Sequence, residues 1–284
     1  MDTVLLISII KYLVMVIAGI VLGNGAVYLF NHMPGKWFLD YDEDMLVGRD
    51  DVGTAGDNGN DRGQKTDPEQ KADVFGAAGP ESLIDGRGRD SGENTYRPQR
   101  VRSTPWKYYF SMLFIVAGLY LVKSDWVYAS AVMVICWILL ELSIADIKYR
   151  VIPDQLLILL AVSAVGLIQY HNWRDMLCGA ALGLGIMGVA ALLGKAMYRR
   201  DAIGGGDIKL FAAIGLLLGV RGVIAVFMLS ALLSGAHMVA LLAMRKIKRK
   251  DTIPMVPYIA AAASIYLIFI WQGPAAGYFD QLIL

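Results

Sequence analysis

Histidine and cysteine are nearly missing from this chain: 284 residues hold three of the first and two of the second. His32, His171 and His237 stand singly, and neither Cys136 nor Cys178 has a second Cys or His at metal-ligand spacing, so neither a metal site nor a disulfide framework has a signature. Both cysteines lie in apolar runs and read as small buried hydrophobes. Charge is also short, at 18% of residues against 56% hydrophobic, with a mean hydropathy of +0.51. That balance is too apolar for a soluble domain of this size, so the expected solvent is a lipid bilayer. The near-zero net charge hides a segregation, because Asp40 to Arg100 holds 15 of the 25 acidic but only 8 of the 26 basic residues. A basic membrane part beside an acidic insert does not point to nucleic acid; it suits basic loops facing the cytoplasm.

Val4 to Phe30 is an apolar run broken chiefly by Lys11 and Asn24, without a basic start or a small-residue cleavage site, and it reads as a retained membrane helix. Gly19 and Gly23 on it have a small-xxx-small spacing, a pattern common by chance in glycine-rich membrane sequence. From Asp40 the composition turns to Asp, Gly, Arg and Asn with too little apolar surface to offset chain entropy, so a disordered linker is expected. Seven apolar runs follow Pro105: 106–122, 126–145, 152–170, 176–193, 208–220, 222–244 and 253–271. The expected architecture is all-α and polytopic, with about eight transmembrane helices, in three parts: 1–39, the insert 40–104, and a membrane core 105–284. The run 208–220 is short for a span, which implies little tilt or an extension by its polar flanks. Lys148, Arg150, Lys195, Arg199, Arg200, Lys209 and the basic run Arg245 to Lys250 fall on one side; Lys123, Arg174 and Arg221 fall opposite. The basic side is expected to be cytoplasmic, leaving the N-terminus outside and the insert inside.

Two acids sit where these runs meet the cytoplasmic boundary. Asp146 closes one in Ser143-Ile144-Ala145-Asp146-Ile147-Lys148-Tyr149-Arg150-Val151-Ile152-Pro153-Asp154, and Asp207 opens another in Gly204-Gly205-Gly206-Asp207-Ile208-Lys209. Acids at membrane depth are costly and face a bundle interior or cavity, so each needs a partner. Here the partner has the same sign: two carboxylates sharing a site do not both ionise easily, so one holds a proton while the other activates water, as in aspartic proteases. Asp146 ends its helix near the negative dipole end and Asp207 begins one near the positive end, which makes Asp146 the expected acid and Asp207 the base. The three glycines permit positive φ and close approach of an extended substrate.

These residues resemble the type IV prepilin peptidases, membrane aspartyl proteases of the GxGD class. Asp146 with Ile152-Pro153-Asp154 resembles the family's first motif, Gly204 to Lys209 its second, and Ile253-Pro254-Met255-Val256-Pro257-Tyr258 its Pro-rich third; Gly23-Asn24 through Pro34 resembles the end of its first helix. The resemblance implies an aspartic endopeptidase of the bacterial cytoplasmic membrane, with Asp146 and Asp207 catalytic, cutting a short basic leader from prepilins and pseudopilins. It implies Gly204, Gly205, Gly206, Lys209, Pro153, Asp154, Pro254 and Pro257 as site-shaping or substrate-binding residues. Many members also methylate the new N-terminus and carry paired Cys-x-x-Cys motifs in the first cytoplasmic loop. Asp40 to Arg100 contains no Cys, so that zinc site is absent. The peptidase step needs no metal and no cofactor, and S-adenosylmethionine is implied only if methyltransferase activity is retained.

The neighbours have plainer readings. Asp154 follows a proline at a helix start, where an acid usually caps, and Pro254 and Pro257 equally suit a first helical turn. Glu141 lies five residues before Asp146, about 140° around the helix, and either pairs with a cation or is protonated. His237 reads as a packed, hydrogen-bonded residue, and Lys209 as one that snorkels to the headgroups or tunes Asp207. The alternatives to a peptidase are a multipass transporter with an ion site at Asp146 and Asp207, and a non-catalytic membrane component of a pilus or secretion assembly.

Overall fold

The computed structural model describes residues 3–34, 37, 103–198, 204–244 and 253–271, and all its regular elements are helical. They are α1 (Thr3–His32), α2 (Ser103–Leu121), α3 (Trp126–Tyr149), α4 (Asp154–Ser163) continued by a 3₁₀ stretch (Ala164–Tyr170), α5 (Trp173–Tyr198), α6 (Gly205–Ala243), and α7 (Val256–Ile265) continued by a π turn (Tyr266–Ile270). The insert 40–104, apart from its last two residues, and the basic clusters at Arg199, Arg200 and 245–250 lie outside the described residues.

Among the described residues four helices are long and apolar enough to cross a membrane, namely Leu6–His32, Trp126–Tyr149, Trp173–Ala196 and Gly205–Ala243. Shorter apolar helices cover Asp154–Tyr170 and Val256–Ile270. The protein is an all-α polytopic membrane protein. Its outer faces agree, since Ile7, Leu13, Met112, Val165 and Leu192 are large, apolar and exposed, as a surface solvated by lipid tails requires.

The apolar runs 208–220 and 222–244 join in one 39-residue unit with a non-helical residue inside, Gly219 at φ 69 and ψ −172. The two arms fold back on each other. A Cβ built on Gly183 of α5 would lie 2.8 Å from the carbonyl carbon of Phe211 and 3.2 Å from the side chain of Val223. Twelve positions of straight helix would hold those residues about 18 Å apart. Asp175 stabilises the reversal, its Oδ1 accepting the N–H of Val220 at 3.4 Å, one of the donors that a restarting helix leaves without an intrahelical partner. The first arm is extended at its polar flank, as its shortness implied, because the helix begins at Gly205 and takes Asp207 into its first turn.

Glycine also sets how closely the helices approach. A Cβ on Gly19 would come within 2.7 Å of the Ile115 backbone, and one on Gly23 would collide with Ser111, so α1 lies almost backbone to backbone on α2. The small-xxx-small spacing that is commonplace as sequence is a real contact here. Gly179 and Gly215 join α5 to the first arm of α6 in the same way. Two longer ties hold α3 centrally: the Trp137 indole N–H donates to Leu22 O at 3.1 Å, and the Tyr128 hydroxyl donates to Leu267 O, in the π turn, at 2.6 Å. Cys136 is half-buried and Cys178 is exposed on α5, so only the first approaches the buried position expected of both.

Gly219→Ala places a side chain in a left-handed conformation and against the Asp175 carboxylate. It is expected to cost roughly 1–3 kcal/mol, read as a lower Tm in detergent. An unchanged Tm would mean that the chain does not reverse at this residue.

Candidate active site

Asp146 is placed by the way α3 ends. Arg150 takes the left-handed conformation at φ 54 and its N–H bonds to Asp146 O at 3.0 Å, which stops the helix one turn after the acid. Val151 to Pro153 leave helical geometry, Pro153 with φ −64 and ψ 124, and α4 starts at Asp154. Asp207 is placed from the other side. Gly204 is extended (φ −69, ψ 146), and the Asp207 N–H bonds to Gly204 O at 3.1 Å, which puts the acid in the first turn of α6.

The expected positive φ in this glycine run is not found. Among the described residues only Arg150 and Gly219 have it. Gly204 is extended and the next two glycines are already helical, so the run serves space instead: a Cβ on Gly206 would meet Ile152 Cβ at 3.0 Å, while Gly205 faces open space. Gly206 therefore seats the start of α6 against the Ile152–Pro153 corner, which brings the two acid-bearing segments together. Asp146 is buried, Asp207 is half-buried, and the Asp146 carboxylate lies close enough to act electrostatically on Asp207.

The third segment completes the arrangement through its backbone. The N–H of Val256, first residue of α7, donates to Asp146 Oδ2 at 3.0 Å. Pro257 occupies the first turn as expected, leaving Val256 as an unpaired donor aimed at the acid. This contact was missed from sequence because no side chain carries it. Its signal was the prolines, which mark a helix start and hence free N–H groups. The geometry also corrects the dipole argument. Asp146 lies at the C-terminal end of α3 but at the N-terminal end of α7, so the two helix ends oppose and do not assign the acid and base roles.

Lys209 and Asp154 pair with each other. Lys209 Nζ lies 2.9 Å from both Asp154 oxygens, and no side-chain cap forms at the start of α4. Asp154 is thus an interhelix partner more than a cap, and Lys209 is directed at Asp154. With both side chains well exposed the pair contributes under about 1 kcal/mol, yet it spans the first and second motifs. Pro254 lies just before α7, in the segment leading to Val256. His237 is hydrogen-bonded as expected but exposed where a packed position was expected, and its partner is the hydroxyl of Tyr258, two residues past Val256. Among the described residues no three His, Cys, Asp or Glu side chains gather as a metal site.

Residues 133–241, which contain both acids, match the family model described as Type IV leader peptidase family. The prepilin leader peptidase/N-methyltransferase of Bacillus subtilis (strain 168) is 31% identical over 135 residues, 46% of this chain and 52% of that protein. Proteins of the same name from Xanthomonas campestris pv. campestris and Pseudomonas aeruginosa are 28% identical over 162 residues and 30% over 146. These alignments cover 56% of this chain and 55% of the Xanthomonas protein, and 50% of each chain for Pseudomonas. The chain spans about half the length of the curated relatives it matches. No solved structure matches. The part of this chain similar to the type IV leader peptidase family is thus the membrane segment 133–241, which carries Asp146 and Asp207.

Glu141 stands apart from the pair. It is fully buried in α3, and neither carboxylate oxygen has a hydrogen-bond partner among the described residues, so the cation it could have paired with is not found there. Glu141→Leu removes an unsatisfied polar group and is expected to stabilise the protein by roughly 1–3 kcal/mol, seen as a raised Tm in detergent. A lowered Tm would mean that Glu141 has a partner that matters to the fold.

Proposed function

We propose that this chain is a membrane aspartic endopeptidase that cleaves the basic leader from prepilins and pseudopilins at the cytoplasmic face of the bacterial inner membrane. The observation that carries it is the convergence of Asp146 and Asp207, with the Val256 N–H fixing one oxygen of Asp146. The family match over 133–241 and the relatives' printed name supply the substrate class.

In such a pair one proton is shared. The ionised carboxylate takes a proton from water, whose oxygen adds to the scissile carbonyl carbon. The protonated carboxyl gives its proton to the carbonyl oxygen. Collapse of the tetrahedral species breaks the C–N bond, and the amine leaves with a proton returned through the pair, so one water is consumed per bond cut. Gly204 and Gly205, extended or facing open space, leave room for the unwound strand this attack requires. The chemistry needs neither metal nor cofactor. Methylation of the new N-terminus would need S-adenosylmethionine as donor.

Orientation follows from charge. Lys148, Arg150 and Lys209 stand at or near the helix ends that carry the acids, and Lys123, Arg174 and Arg221 at or near the opposite ends, which supports a site at the cytoplasmic face with the N-terminus outside. A basic leader held on that side brings its scissile bond to the acids.

Asp207→Asn is nearly isosteric but can neither accept a proton from water nor share one. It is expected to abolish cleavage of a purified prepilin while the variant accumulates normally in the membrane. Cleavage near the wild-type rate would refute the assignment.

A further inference from the structure

An apolar groove of about 580 Å³ runs between α2, α3 and α7. Its walls extend from Trp106 to Ala117, from Cys136 to Lys148 and from Pro257 to Phe269. The walls are twelve or thirteen residues long, which is on the order of 17–18 Å of helix. At one end lie Lys148, two residues after Asp146, and Pro257, next to the Val256 whose N–H holds Asp146. The groove therefore begins beside the end of α3 that carries Asp146 and runs along that helix away from it, into the bilayer. It is open to lipid, since Leu113, Ile147 and Phe269 on its rim are exposed. Between Pro257 and the larger Ile265, Ile268 and Phe269, its α7 wall has a stretch of small side chains, Ala260, Ala261 and Ser264, which lets a neighbouring backbone come close.

We propose that this groove seats the apolar helix that follows the scissile bond of the substrate. The inference rests on the peptidase reading above and deepens it. A bond cut at the membrane boundary continues on one side into a water-exposed basic leader and on the other into a hydrophobic helix. That helix needs an apolar track starting at the acids and running inward, and the groove's position, direction and length meet all three requirements. One face of the helix packs on Ala260, Ala261 and Ser264 while its other face stays in lipid. Binding then sets the register, because the helix end is fixed where Lys148 and Pro257 close the groove, and the first extended residues lie beside Asp146.

The test compares two substrates of purified enzyme: a full prepilin carrying its apolar helix, and a soluble peptide spanning the same scissile bond without it. Ala261 is exposed in the groove, so Ala261→Trp fills the track without disturbing the core. The expected result is a fall in kcat/KM of about tenfold or more on the full prepilin, with the soluble peptide unchanged within about twofold. Equal cleavage of the prepilin by variant and wild type, or an equal loss on both substrates, would overturn the inference. Wild-type enzyme that cuts neither substrate would sink the peptidase reading itself. A second measurement uses a photoreactive benzoylphenylalanine in the Asp207→Asn background, in place of Leu113 on the groove or Leu192 on the exposed face of α5. Cross-linking of the prepilin helix from position 113 and not from 192 is expected; capture of phospholipid or of the enzyme's own chain alone at position 113 would overturn it.

Discussion

A buried carboxylate at the edge of a bilayer has to be met by donors, and here a helix start meets it. The hydrogen bond from Val256 N–H to Asp146 Oδ2 joins the C-terminal end of α3 to the N-terminal end of α7 across 110 positions of sequence. Much of the core is arranged so that these ends coincide. The left-handed Arg150 stops α3 just past the acid, and Pro257 leaves the first turn of α7 with Val256 as a donor. Tyr128, near the far end of α3, holds the other end of the same helix pair at Leu267. Both ends of the α3–α7 contact are thereby pinned, which fixes the depth at which Asp146 sits.

The second acid reaches the first because glycine permits two close approaches. Gly206 lets the start of α6 lie on the Ile152–Pro153 corner, and Gly219 turns α6 back so that its two arms share the surface of α5. Neither contact contributes much energy by itself. Their effect is positional: the first arm is held between α4, α5 and its own second arm, and Asp207 is presented toward Asp146 from a rigid helix start. The Lys209–Asp154 pair adds a weak, directional tie across the same corner.

The architecture was largely legible because hydrophobic run length is a strong signal in membrane sequence. All eight apolar runs are helical over most of their described length, and the two acids stood out as charges bordering otherwise apolar segments. What sequence did not convey was pairing through backbone and through small residues. Val256 contributes an N–H that every non-proline residue has, so nothing in its identity marks it. Gly19 and Gly23 carry a spacing that recurs by chance, and only the position of α2 shows that they are used. At Asp146 the sequence displays the end of α3 alone, while the opposing end of α7 arrives from far along the chain. Lys209 reads from sequence as snorkelling to the headgroups or tuning Asp207, and the fold pairs it with Asp154 instead.

Taken together, three motifs contribute one acid each from two helix ends and one backbone donor from a third, and a track for an apolar helix leads away from them. The central claim is that Asp146 and Asp207 work as one protonation unit. The most direct measurement is the pH dependence of kcat/KM for leader cleavage by purified enzyme. A shared proton predicts a bell, with activity lost on the acid side when both carboxyls are protonated and on the alkaline side when neither is. A profile that rises with pH and then stays level through the alkaline range, as a single general base gives, would contradict the account.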